Sequence, residues 1–234
     1  MKTSHRFTAI LGLAAILNSA SAGDITGKIT LKGTPPPEKE LPLDPTCGKL
    51  VSEKPKTRFF VVGPGGELGD VFVYIKSGLE GKSFPPSAES ALLDQKGCEY
   101  TPYILGLQTN QKLMIRNSDP VLHNVHVTPG PGSVNKESNQ AQIAKSPDIV
   151  KSFSGPEVLL RMKCDVHPWM FAYVGVVDHP YFAVSGKDGS FTIKNVPPGK
   201  YTLAVVHRKS VDQTKEITVA GDGVKSDFTM EIKQ

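Results

Sequence analysis

Apolar and polar positions alternate with a period of two through much of the chain, and no stretch sustains the 3.6-residue period of a helix for more than about two turns. Asp24 to Leu31 reads as a strand, ended by Gly33-Thr34-Pro35-Pro36-Pro37 and a polar, proline-rich stretch to Pro55. Thr57 to Val62 and Asp70 to Lys76 read as two short strands around Gly63-Pro64-Gly65-Gly66, a hairpin-turn composition. From Leu93 the rhythm continues through Tyr103 to Leu107, a turn at Gln108 to Asn110, and Lys112 to Arg116. Asn117-Ser118-Asp119-Pro120 then turns the chain into Val121 to Val127, where His123, Val125 and Val127 share one face and Asn124 and His126 the other.

Thr128 to Pro156 has little periodicity and reads as a long loop with room for one edge strand. Order returns at Glu157 to Lys163, where Val158, Leu160 and Met162 point inward together with Cys164 just beyond, and again at Phe171 to Val177. Tyr181 to Ser185, Ser190 to Lys194 and Lys200 to His207 follow, separated by turns at Lys187-Asp188-Gly189 and Pro197-Pro198-Gly199. With 22 glycines and 19 prolines punctuating such runs, the expected fold class is all-β, built of sandwiches.

The first two dozen residues set the compartment. Lys2 and Arg6 precede an apolar run from Phe7 to Leu17, too short to span a bilayer, and Ala20-Ser21-Ala22 has the small-residue spacing of a cleavage site. Residues 1–22 are therefore expected to be a signal peptide, with a periplasmic mature chain from Gly23 and no membrane span after it. Loss of Lys2 and Arg6 takes the formal charge from +4 to +2. The remaining basic residues are scattered among acids, which argues against nucleic acid as a partner and names no other.

Cys164-Asp165-Val166-His167-Pro168-Trp169-Met170 places a thiolate, an imidazole and a thioether in one tight loop between two strands. Two imidazoles and a thiolate in a plane with a weak axial thioether suit copper, and His123, inward at a strand start, is the candidate for the second imidazole. Zinc competes through cysteine and histidine, but thioether is a soft ligand that zinc sites seldom use. The absence of a Cys-x-x-Cys-His run excludes covalent haem, and a single cysteine in the loop argues against a binuclear centre. Taken singly, a strand-end cysteine or a His-Pro turn is usually structural; the joint spacing carries the reading.

Cys-x-x-His-x-x-Met with an upstream His-Asn resembles the plastocyanin-like cupredoxins over Leu93 to Asp178. The resemblance implies a Greek-key β-sandwich with one mononuclear type 1 copper, His123, Cys164 and His167 equatorial and Met170 axial. It implies that Asn124 steadies the ligand loop by hydrogen bonding, and that His167 lies near the surface as the exit for electrons. The chain departs from the usual pattern in having Met162 two before the cysteine, where an aromatic is frequent, and a bulky Trp169 inside the loop.

With Cys164 held by metal, Cys47 and Cys98 are expected to pair, although three connectivities exist on paper; a bridge between them would contribute ~4 kcal/mol through chain entropy. His126 is expected to be a hydrogen-bonded structural histidine, and His179 and His207 are weak candidates for a second metal site. Asp188 to Leu203 resembles the carboxypeptidase regulatory-like, transthyretin-like sandwich, a non-catalytic module whose usual first strand looks like Gly27 to Gly33. Two arrangements stay open: tandem units, or residues 24–85 and 179–234 completing one sandwich around a cupredoxin at 86–178.

The expected function is a periplasmic one-electron carrier between redox proteins, not an enzyme. A copper-holding or delivery protein and a metal-stabilised surface-binding sandwich are the alternatives. A full ligand set leaves no open position for catalysis, and five methionines without Met- or His-rich tracts disfavour delivery.

Overall fold

The computed structural model describes residues 21–233, so the expected signal peptide lies almost wholly outside the described residues. In chain order the elements are β1 (Gly23–Lys32), the short helix α1 (Pro45–Gly48), β2 (Phe72–Ser77), β3 (Ala91–Lys96), β4 (Glu99–Thr101), β5 (Ile104–Gln108), β6 (Leu113–Asn117), β7 (His123–Thr128), β8 (Ser138–Gln142), β9 (Ile149–Lys151), β10 (Glu157–Lys163), β11 (Phe171–Val177), β12 (Phe182–Val184), β13 (Ser190–Val196), β14 (Gly199–Val206), β15 (Gln213–Val219), β16 (Val224–Lys225) and β17 (Phe228–Glu231). The chain is all-β apart from α1 among the described residues.

Two sandwiches result. In the first, the sheet β13-β1-β16, with β17 also on β1, faces the sheet β12-β2-β14-β15. Ile25, Ile29, Val73, Ile75, Leu203 and Met230 meet in its core. The alternation read from Asp24 onward is visible in β1, whose positions alternate buried and accessible along most of its length. In the second sandwich β5-β11-β10-β7-β8 faces β4-β3-β6-β9 around Leu93, Leu113, Ile115, Val125, Met162 and Val174. Every strand of this second core lies between β2 and β12 in sequence.

Three local expectations fail, each for a physical reason. Thr57 to Val62 makes no strand, because the Glu38 carboxylate takes the amides of Phe59 and Phe60 and the Thr57 hydroxyl, leaving only single bridges at Lys56 and Val62. The loop from Thr128 to Pro156 holds two strands, β8 and β9; β8 is Ser-Asn-Gln-Ala-Gln, with no apolar alternation to betray it. Val158 turns outward because Leu159 adopts φ 60° and the β10–β11 register shifts between Glu157 and Leu160, a bulge. The other face of β11 is buried as well. There Gly175 lies beneath the Phe72 ring, which belongs to the first sandwich, and Tyr103, Ile104, Tyr173 and Val177 complete a small core joining the two units.

Candidate metal centre

The β7–β10–β11 pairing brings the four candidate ligands to one end of the second sandwich. His123 opens β7, Cys164 follows the last residue of β10, and Met170 directly precedes β11. The loop between them is closed by the Cys164 amide on the Met170 carbonyl at 3.2 Å and the Met170 amide on the His167 carbonyl at 2.9 Å. All four side chains are buried.

His123 Nδ1 lies 2.9 Å from His167 Nδ1, and Cys164 Sγ lies 3.6 Å from the same His167 nitrogen. Two nitrogens bonded to one metal at about 2.0 Å stand about 3 to 3.5 Å apart, and a thiolate sulfur stands about 3.7 Å from either. The donor set thus fits a single small ion. Met170, at the end of the loop, shares the buried cluster that contains Cys164.

The groups behind the ligands fix their tautomers and positions. Asp119 Oδ2 sits 2.9 Å from His123 Nε2, which leaves Nδ1 as the free nitrogen of that ring. Asp119 is itself held by the amides of Gly97 and Cys98 at 2.7 and 2.8 Å. The Asn124 amide donates to Cys164 Sγ at 3.5 Å, while its side-chain oxygen accepts from the Asp165 amide at 2.6 Å and its Nδ2 donates to Asn139. Tyr100, fully inside the core, donates its hydroxyl to the Asn124 carbonyl at 2.7 Å. Burial alone would raise the Cys164 thiol, but hydrogen bonds from His123 and from the amides of Asn124, His167 and Val166 outweigh it and hold the thiol below its ordinary value. For His167, burial and then the neighbouring His123 favour the neutral, ligating form.

His167 departs from what the resemblance implied: it is 4 % exposed rather than a surface residue. The segment between β1 and β2 crosses to this end of the second sandwich and roofs it. Asp44 caps α1 by accepting from the Thr46 and Cys47 amides, and its other oxygen lies 3.6 Å from His167 Nε2. Trp169 packs on the other side, its ring 5.3 Å from that of His167, and donates Nε1 to the Cys98 carbonyl. A disulfide between Cys47 and Cys98 pins the segment in place, and Cys164 is the free cysteine.

The other described histidines lie elsewhere and are hydrogen-bonded. His126 bridges Asp165 and Glu137, each at 2.7 Å, with its nitrogens aimed in opposite directions. His179 bonds the Ile75 carbonyl, and His207 bonds Ser210 and stacks near Phe60. Sequence reasoning missed Asp44, Asp119 and Tyr100. Asp119 had a signal, a carboxylate four residues before His123 in a turn; Asp44 and Tyr100 reach the centre only through tertiary packing.

No helix among the described residues is long and apolar enough to cross a membrane. Neither a protein-family model nor a curated protein matches the chain. Solved structures do match in part. A purple cupredoxin from Nitrosopumilus maritimus aligns at 21 % identity over 37 % of this chain and 98 % of its own, with a TM-score of 0.32. A Cu(I) form of a mutant amicyanin aligns at 18 % identity over 44 % of this chain and 97 % of its own, with a TM-score of 0.33. A Cu-containing nitrite reductase from Thermus scotoductus SA-01 aligns at 16 % identity over 44 % of this chain and 25 % of its own, with a TM-score of 0.34. These likenesses carry no weight of their own, and the reading of the centre rests on its side chains.

Proposed function

We propose that the protein is an exported type 1 copper protein that carries single electrons, with His123, Cys164 and His167 as equatorial ligands and Met170 as the axial one. The observation that carries this reading is the convergence of two imidazole Nδ1 atoms and one thiolate sulfur in a buried, water-excluded pocket. Bound copper would supply a one-electron couple there. The chain's own part is to hold the donors still: Asp119 orients His123, Asn124 ties the ligand loop to β7, and the strand pairing of β10 and β11 fixes both ends of that loop. A pre-set donor arrangement keeps reorganisation small between oxidation states. A full set of four buried candidate ligands leaves no open coordination position in this reading and favours a carrier over an enzyme or a delivery protein.

In the same reading, residues 1–22 are a signal peptide and the mature chain works in the periplasm with redox proteins as partners. Residues 24–85 and 179–234 make one transthyretin-like sandwich into which the cupredoxin unit, 86–178, is set. The test is the visible and paramagnetic resonance spectrum of the mature protein with copper(II), beside that of Cys164→Ser. An intense thiolate-to-copper band with narrow hyperfine splitting, absent from the variant, supports the type 1 site; a weak spectrum indifferent to Cys164 removes it.

A further inference from the structure

We propose that the cavity beside the metal centre, at the junction of both sandwiches and the roofing segment, binds a small single-ring aromatic anion. The cavity measures about 190 Å³. Its walls include Leu41 and Phe59 from the roofing segment, Tyr100 and Tyr103 from the second sandwich, and Trp169 and Phe171 from the ligand loop and β11. An apolar cavity of about 150 Å³ is enough to admit one benzene-sized ring, so one ring fits and two do not.

The charged groups around this cavity are unequal in sign. Lys56, Arg58 and Arg208 line it together with a single acid, Glu99. Both guanidinium groups are held rather than free to swing. Arg58 lies 5.1 Å over the Tyr103 ring and pairs with Asp70 at 3.0 Å. Arg208 lies 4.0 Å over the Tyr173 ring and donates to the Tyr103 hydroxyl. Neither arrangement uses all five donors of a guanidinium, so each retains N–H groups for a carboxylate or phenolate. Aromatic walls for a ring and fixed cations for its acidic substituent are a complementary pair; an aliphatic anion would use only the second, a neutral arene only the first.

The cavity adjoins the candidate metal centre through Met170, which also lines it, but its aromatic and cationic groups are not candidate ligands, so it can be examined in the copper-free protein. The protein has one tryptophan, Trp169, and it lines the cavity, so its fluorescence reports occupancy without a label. The experiment titrates the full mature chain, copper-free, with benzoate and with benzyl alcohol as the neutral counterpart, following Trp169 emission and heat of binding. Saturable binding of benzoate is expected, at least about tenfold tighter than benzyl alcohol, the range of one charge-assisted hydrogen bond. In Arg208→Gln that preference falls by a similar factor; should this variant lose its native circular dichroism, exposed Lys56→Gln serves with a smaller expected loss. Absence of saturable binding by either compound overturns the proposal. Equal binding of both, unmoved by either variant, also overturns it by reducing the site to a neutral crevice.

Discussion

The Asp119 carboxylate meets His123 Nε2 at 2.9 Å while it also receives two backbone amides, so the ring that faces Cys164 and His167 is oriented from behind by a group that is itself fixed. Removing that support with Asp119→Ala is expected to weaken copper binding by about 10- to 100-fold, the usual effect of losing such a partner. Competition with a chelator of known affinity measures it. A change in the hyperfine pattern of the residual bound copper separates loss of orientation from a general loss of stability, and Asp119→Asn, which keeps an acceptor, is expected to restore part of the affinity.

The Cys47–Cys98 bridge spans a sequence separation of 51 and holds the roof over His167. Replacing both cysteines by serine is expected to cost about 4 kcal/mol of stability on the chain-entropy estimate. Denaturant unfolding checks the energy. Modification of the copper-free protein with a histidine-acylating reagent, mapped at His167, checks the cover: faster reaction in the double variant is expected, and an unchanged rate would mean that the segment stays in place without its bridge.

Acid is expected to destabilise the first sandwich through His207. Burial first, then Arg208 and Lys233, depress its pKa to about 4. In the unfolded chain the same imidazole titrates near about 6.5, so the stability due to keeping it neutral is complete above that pH. It falls as the pH drops from about 6.5 towards about 4, by about 3 kcal/mol in all at 1.36 kcal/mol per unit. His207→Gln is expected to flatten the stability profile in that window, whatever its effect at neutral pH; equal slopes in both proteins would refute the assignment.

Gly175 and Phe72 pack closely against each other between the two sandwiches. A Cβ at position 175 would stand 2.4 Å from the Phe72 ring. Gly175→Ala is expected to cost about 1 to 3 kcal/mol, as overpacking does. Phe72→Leu in the same chain is expected to recover part of that loss, and thermal unfolding of the four members of the cycle gives the coupling.

How much of this was legible beforehand varies with the kind of signal. The four candidate ligands stood out because three fall in seven consecutive residues, and period-two alternation aimed His123 inward before any coordinates. Strand β8 was hidden because its pairing to β7 uses backbone and polar side chains, and Ser138–Gln142 carries no apolar alternation. The bulge at Leu159 left no mark, since a left-handed leucine is chosen by tertiary packing and not by composition. Least legible was the roof. Nothing in the proline-rich stretch between Gly33 and Pro55 announced that Asp44 would reach a histidine 123 positions further on, because that contact depends on how two sandwiches share one chain.

The roof has a chemical consequence as well as a geometric one. Cys98 and Cys164 both place sulfur within 4.8 Å of a His167 nitrogen, near enough for either to compete for the same oxidant or the same metal. By pairing with each other, Cys47 and Cys98 withdraw both of these sulfurs from that competition and leave Cys164 as the lone thiol. A fragment cut to residues 86–178 would retain every candidate metal ligand and lose both that pairing and the roof, so its failure to hold copper would not report a missing donor.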